Sequence, residues 1–109
     1  MKLPRATQVQ IDERKIRGYV LSRSHPVGRF KARVFAAVGF DTTNAEGFIA
    51  EVRRIAAGGE VSEVEDTEFG RKYTVPGELR GPAGAVPVLT VWIEETGQSN
   101  LRLVTVYPR

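Results

Sequence analysis

At 109 residues the chain is expected to fold as one domain over residues 1–109, large enough to bury roughly two-thirds of its unfolded surface without a disulfide or metal staple. Its 41% hydrophobic and 27% charged residues are those of a globular protein in water. The lack of cysteine excludes a disulfide framework, a thiolate metal site and a cysteine nucleophile. The net charge of +3 is unevenly laid out: between residues 14 and 40 seven cations (Arg14, Lys15, Arg17, Arg23, Arg29, Lys31, Arg33) meet no carboxylate, whereas residues 41–68 hold eight carboxylates against Arg53 and Arg54.

That asymmetry points to a polyanion, such as RNA, as partner. The plainer reading is that the two blocks neutralise each other within the fold. Met1-Lys2-Leu3-Pro4-Arg5 leads into no apolar run, so no signal peptide is expected. No stretch has the length of a membrane span. Together with the missing cysteines this suggests a cytoplasmic protein.

In chain order, residues 6–11 alternate weakly and suggest a short edge strand. Asp12 is a fitting N-cap for a helix through Leu21, with Ile16, Tyr19 and Val20 on one face. Residues 22–28 break it, and Pro26 pushes His25 out of the helical region into a turn. A second helix follows to Val38, with Gly39 as its C′ residue. At about 100° per residue it buries Phe30, Val34 and Val38. Lys31 falls inside that arc, between Val38 and Phe35, while Arg29 and Arg33 fall opposite. Thr43-Asn44-Ala45-Glu46 matches a capping box. The third helix carries Phe48, Ile49, Val52, Ile55 and Ala56 on one stripe, and Gly58-Gly59 ends it.

Beyond Gly59 the period falls from about 3.6 to 2. Strands are expected over 60–64, 71–75, 86–94 and 100–107, with 76–87 a wide loop because of its glycines and prolines. In 86–94, Leu89, Val91 and Ile93 form one face and Val88, Thr90 and Trp92 the other. In the last strand Val104 and Val106 stand opposite Leu103, Thr105 and Tyr107. Apolar residues on both faces place these two strands centrally. The expected core joins Phe30, Val34, Phe48, Val52, Ile55, Leu89, Val91 and Ile93. Helices first and strands after give an α+β fold: N-terminal helices packed on a roughly four-stranded antiparallel sheet.

Most chemical motifs are missing. Gly81-Pro82-Ala83-Gly84 lacks the lysine and helix of a phosphate loop. One histidine without cysteine builds no usual zinc site, and the acidic run over 60–68 lacks the offsets of a calcium loop. No metal and no cofactor are expected. What remains is His25 with Lys31 and hydroxyls late in the chain. A histidine can carry a proton in either direction near neutrality. A desolvated lysine stabilises the charge of a phosphate or of its transition state. With Thr105 or Tyr107, which project from one face at a spacing of two, these suffice for metal-free RNA cleavage, because the ribose 2′-OH is itself the nucleophile. The plainer reading is a turn histidine and a snorkelling lysine.

Three stretches are similar to a family of small uncharacterised bacterial proteins with the pattern KLRDYLL, HPxGxxKARFF and LGF. They are Lys15-Ile16-Arg17-Gly18-Tyr19-Val20-Leu21, then His25-Pro26-Val27-Gly28-Arg29-Phe30-Lys31-Ala32-Arg33-Val34-Phe35, then Gly39-Phe40. Gly70-Arg71-Lys72-Tyr73-Thr74-Val75, Gly81-Pro82, Thr90-Val91-Trp92 and Leu103-Val104-Thr105-Val106-Tyr107-Pro108 extend the resemblance over nearly the whole chain. The element order resembles the barnase–EndoU–colicin–RelE superfold of small ribonucleases, often toxins of toxin–antitoxin or contact-dependent systems. The chain lacks the second histidine and the obvious glutamate base of the best-known members, which leaves His25–Lys31 or His25–Thr105 as substitutes.

The resemblance implies a toxin module acting as a metal-independent endoribonuclease, with a small acidic antitoxin or immunity protein as partner. In that scheme His25, Lys31, Thr105 and Tyr107 are the catalytic candidates, and Arg29, Arg33 and Lys72 hold flanking phosphates of the RNA. The alternative is a non-enzymatic binding module, either the partner half of such a system or a basic docking domain.

Overall fold

The computed structural model describes residues 1–22 and 29–109. The Asp12 carboxylate caps α1 (Glu13–Lys15), accepting from the N–H of Arg14 at 2.9 Å and of Lys15 at 3.4 Å. The helix widens at once into a π turn over Ile16–Val20, closed by the Leu21 N–H on the Ile16 carbonyl at 2.9 Å. The wider turn brings Ile16, Val20 and Leu21 inward together, and all three are buried. Residues 6–11 do not form the expected edge strand. They hold a 3₁₀ turn, Ala6–Gln8, followed by a single parallel bridge between Gln10 and Arg102.

Helix α2 (Arg29–Ala37) buries Ala32 and Phe35, and Val38 and Phe40 are buried just beyond it. Phe30 was expected in this core and is instead 60% exposed, with Val34 half-buried. The buried arc runs from Val38 through Phe35 to Ala32, so Phe30 lies outside it and Lys31 within it. The expected box over residues 43–46 does not form either. Asp41 accepts from the Thr43 N–H, and the Asn44 side chain accepts from the Asp41 N–H, both at 2.8 Å. The box thus closes around the 3₁₀ turn Thr42–Asn44 ahead of α3 (Ala45–Gly58). Along α3, Phe48, Val52, Ile55 and Ala56 are buried as the stripe predicts, with Ile49 partly so. Phe48 meets Phe35 and Phe40 edge-on, with ring centroids 5.1 and 5.6 Å apart.

Four antiparallel strands follow in spatial order β1-β2-β3-β4: β1 (Glu63–Thr67), β2 (Gly70–Gly81), β3 (Gly84–Glu95) and β4 (Leu101–Pro108). The fold is α+β, helices against an antiparallel sheet. The wide loop expected over 76–87 is mostly strand: β2 and β3 pair from Gly70–Glu95 to Gly81–Gly84, and only Pro82 and Ala83 turn the chain. Gly77 marks a close approach and not a loop, since a Cβ there would stand 2.7 Å from the Ile55 side chain of α3.

The sheet packs on the helices through Tyr73, Val75 and Leu79 of β2, Val88, Thr90 and Trp92 of β3, and Leu101, Leu103 and Val106 of β4. This reverses the expected face of β3. Leu89 and Val91 are only half-buried, and Ile93 is buried on the opposite side of the strand. The reversal is possible because Thr90 is satisfied: its hydroxyl donates to the Val75 carbonyl at 2.8 Å and accepts from Trp92 Nε1 at 2.9 Å. A bulge between Val91 and Trp92 pairs Val91 with Thr105 but Trp92 with Leu103, leaving Val104 extra. Leu103 and Val106 therefore share the helix side, while Thr105 and Tyr107 face away. Nor is β4 central. It is an edge strand covered in part by Gln10, whose N–H donates to the Leu101 carbonyl and whose carbonyl accepts from Leu103, both at 2.9 Å. Among the described residues no helix is long and apolar enough to cross a membrane.

Candidate active site

The site begins at Lys31, in the first turn of α2. Because its arc faces inward, its side chain runs toward β4, where the ammonium donates to Thr105 Oγ1 at 3.0 Å. It also lies 5.5 Å from the centre of the Tyr107 ring, within the range of cation–π attraction. Thr105 and Tyr107 are half-buried neighbours on the face of β4 turned away from the helices. The bulge at Val104 orients them there. A Thr hydroxyl that accepts from an ammonium keeps its own proton for another acceptor.

Lys15 joins this cluster. Its ammonium donates to the freed carbonyl of Val104. Burial, followed by the charge of Lys15, pushes Lys31 below the ordinary lysine value of 10.5. Lys15 is lowered too, by burial and then by Arg102, with Asp12 acting in the opposite sense. Two partly desolvated ammoniums thus approach adjacent residues of one strand, an arrangement that an anion would relieve.

On the same side of the sheet a cavity of about 200 Å³ is lined by Glu63, Glu65, Lys72, Thr74, Val91 and Tyr107. The register explains the lining: Glu63 pairs across from Thr74, Glu65 from Lys72, and Thr74 from Val91, and directly opposed residues share a face. Tyr107 borders both the cavity and Lys31. Lys72 therefore sits beside two carboxylates, not among cations. Arg33 is exposed on α2, its guanidinium 5.8 Å from the Phe30 ring centre. His25 lies outside the described residues, as do the side chains of Arg29 and Tyr19.

Lys31, Thr105 and Tyr107 are brought together; Arg33 and Lys72 stand on different elements, α2 and β2. Lys15, Glu63 and Glu65 belong to the site by position but did not stand out in the sequence. Lys15 looked like one of a run of cations, and the carboxylates looked like a solvated charge run. Only strand register could have joined them to Tyr107. Among the described residues the ion pairs of the acidic segment go to partners outside the 14–33 basic block. Glu60 pairs with the N-terminus and Lys2, Glu51 with Arg54, and Asp66 with Arg71. Among the described residues no three His, Cys, Asp or Glu side chains gather to hold a metal ion.

The fold is shared with a solved structure of low sequence likeness. One chain of a contact-dependent growth inhibition toxin–immunity protein complex from Klebsiella pneumoniae 342 superposes with a TM-score of 0.69 at 14% identity, over 91% of this chain and 98% of that one. At that identity the likeness is one of fold. No curated protein sequence matches the chain. The match over residues 2–109 is to a family described as Domain of unknown function (DUF6883), and the chain belongs to that family.

Proposed function

We propose that the protein is a metal-independent endoribonuclease, a toxin module whose site lies on the sheet face turned away from the helices. The observation that carries this reading is the convergence of the Lys31 ammonium, the Thr105 hydroxyl and the Tyr107 ring beside an open cavity. In the reaction the ribose 2′-oxygen bonds to the adjacent phosphorus and the bond from phosphorus to the 5′-oxygen breaks. The products are a 2′,3′-cyclic phosphate and a 5′-hydroxyl. A base takes the 2′-OH proton and an acid protonates the leaving 5′-oxygen; His25 is assigned one of these two transfers, as general acid or base, and solvent water exchanges the other proton. Lys31 offsets the charge that grows on the non-bridging oxygens, and Thr105 donates its free proton to one of them. The Tyr107 hydroxyl orients the scissile group. Arg29 and Arg33 hold flanking phosphates without reading sequence. A bound phosphate also removes the mutual repulsion of Lys15 and Lys31.

The test is cleavage of total RNA by the purified protein in EDTA. Wild type cuts and His25→Ala does not. No cleavage by wild type, or cleavage only with a divalent metal, overturns the reading. A second reading, the non-catalytic partner half of a toxin–immunity pair, draws on the fold likeness to a chain of such a complex. It also draws on the exposed aromatic rings of Phe30 and Phe69, at 60% and 69%. An inert wild type that forms a stable complex with a protein encoded beside it would support that second reading.

A further inference from the structure

We propose that Lys15 is a positioning residue of the site: by holding the Val104 carbonyl at the bulge of β4 it fixes where Thr105 and Tyr107 point. The inference rests on the ribonuclease reading above. It deepens that reading by adding a residue that acts through two hydroxyl side chains and not on the RNA.

Val91 pairs with Thr105 and Trp92 with Leu103, so Val104 has no residue opposite it. An inserted residue of this kind bends its strand and disrupts the ladder around it. On an edge strand no further strand restores the ladder, so the register needs another support. A slip of one residue exchanges the two faces of a strand. In β4 it would turn Thr105 and Tyr107 toward the helices and Val106 away from them. Two features oppose that slip. Leu103 and Val106 are buried and anchor the helix side. The N-terminal segment braces the outer edge at three points. The Gln10 N–H donates to the Leu101 carbonyl and the Leu103 N–H to the Gln10 carbonyl, both at 2.9 Å, and the Lys15 ammonium donates to the Val104 carbonyl. Of these three contacts only that of Lys15 falls on the extra residue. The local fold delivers it there. The Asp12 carboxylate accepts from the N–H groups of Arg14 and Lys15, and the adjoining Ile16 is buried, so the turn that carries Lys15 is fixed at both ends. An ammonium-to-carbonyl hydrogen bond is charge-assisted and stronger than a neutral one. Burial and Arg102 oppose the Lys15 charge more than Asp12 supports it, so the Val104 carbonyl is the contact that keeps the ammonium in place. The consequence reaches the site directly: the residue after Val104 is Thr105, which accepts from Lys31 at 3.0 Å, and Tyr107 lies two residues further on.

The experiment uses the full chain and has a structural and a kinetic arm. In isotope-labelled wild type, NMR is expected to show a coupling across the hydrogen bond between Lys15 Nζ and the Val104 carbonyl carbon. Lys15→Met keeps the apolar stem and removes the donor. Its backbone amide signals are expected to shift over residues 103–107 and to exchange with solvent about tenfold faster there, the ratio that one lost hydrogen bond gives. The signals of α3 stay in place. In RNA cleavage in EDTA the same variant is expected to lose about tenfold or more in kcat while KM changes by less than about twofold, because misplaced groups slow the chemistry without loosening the substrate. The charge of Lys15 helps to hold Lys31 below its ordinary value. Removing it leaves Lys31 more fully protonated, so the fall in kcat is not a loss of charge on Lys31. Absence of the coupling in wild type overturns the inference, whatever the variant does. Unmoved signals at residues 105–107 in Lys15→Met overturn it too, and so do moved signals with wild-type kinetics. A raised KM at unchanged kcat also overturns it, since Lys15 would then be a ligand of the RNA. The coupling and the shifts together, with no cleavage by either protein, keep Lys15 as the support of the bulge and reject the ribonuclease.

Discussion

The two faces of the sheet are built from similar strands and differ in what is left unfinished. Toward the helices, Trp92, Thr90, Val75 and Val106 are fully buried, and the polar atoms among them are matched with one another. Among the described residues no buried side-chain polar atom lacks a partner. On the other face Lys72, Thr74, Val91, Thr105 and Tyr107 are half-buried, and one lysine and two carboxylates border one cavity. The first face is closed and stores stability. The second keeps charged groups partly desolvated, a cost that their contacts with β4 offset in part and a bound anion would lower further. The same alternation along β3 and β4 serves both, one residue apart.

Stability measurements break the symmetry most sharply. Trp92→Ala is expected to cost about 3–5 kcal/mol, as large aromatic truncations in cores do. Val91→Ala, on the half-buried face one residue away, is expected to cost about 1 kcal/mol, since part of its side chain stays in water. Urea unfolding of the two variants checks both values, and equal losses would show that the faces were assigned the wrong way round. Thr90→Val keeps the shape and strips Trp92 Nε1 of its acceptor. Leaving that donor buried and unmatched is expected to cost about 1–3 kcal/mol by the same assay.

The smallest effect is electrostatic and has a definite sign. Lys31 is held below its ordinary value of 10.5, by burial first and by Lys15 second. Between its lowered native value and 10.5 the unfolded chain binds more protons than the folded one. The contribution of Lys31 to stability therefore improves as pH rises through that window. Lys31→Met is expected to be more stable than wild type near neutrality by no more than about 1 kcal/mol, because a half-exposed group is screened by solvent. The gap should close as pH approaches 10.5, and thermal melts of both proteins across that range measure it. Inorganic phosphate added near neutrality should narrow the gap as well. A gap that widened with pH would mean that Lys31 is stabilised as a cation.

The sequence made α3 legible because its stripe has one solution: Phe48, Val52, Ile55 and Ala56 repeat at helical spacing and nothing competes with them. The order of helices before strands was legible for the same reason. In β3 the pattern had two solutions. Leu89, Val91 and Ile93 form the more hydrophobic set on any transfer scale, and Thr90 argued against the other face. Burial of Thr90 became cheap through the Val75 carbonyl and the Trp92 indole, both of which depend on tertiary register. The bulge at Val104 was equally invisible, since one extra residue leaves no mark in composition. At the site, the position of Lys31 inside an apolar arc and the spacing of Thr105 and Tyr107 could be read from periodicity. Glu63 and Glu65 could not, because a charge run on an edge strand looks the same whether or not it faces a cavity.

The central claim is that the unfinished face carries the chemistry, and one paired measurement tests it most directly. The rate of RNA cleavage in EDTA and the melting temperature are recorded for wild type and Lys31→Met under identical conditions. The expected result is a rate lowered by about 10²–10³, the usual cost of removing one preorganised charge from a transition state, with a melting temperature equal to or above that of wild type. A Lys31→Met protein that cuts RNA at the wild-type rate would contradict it.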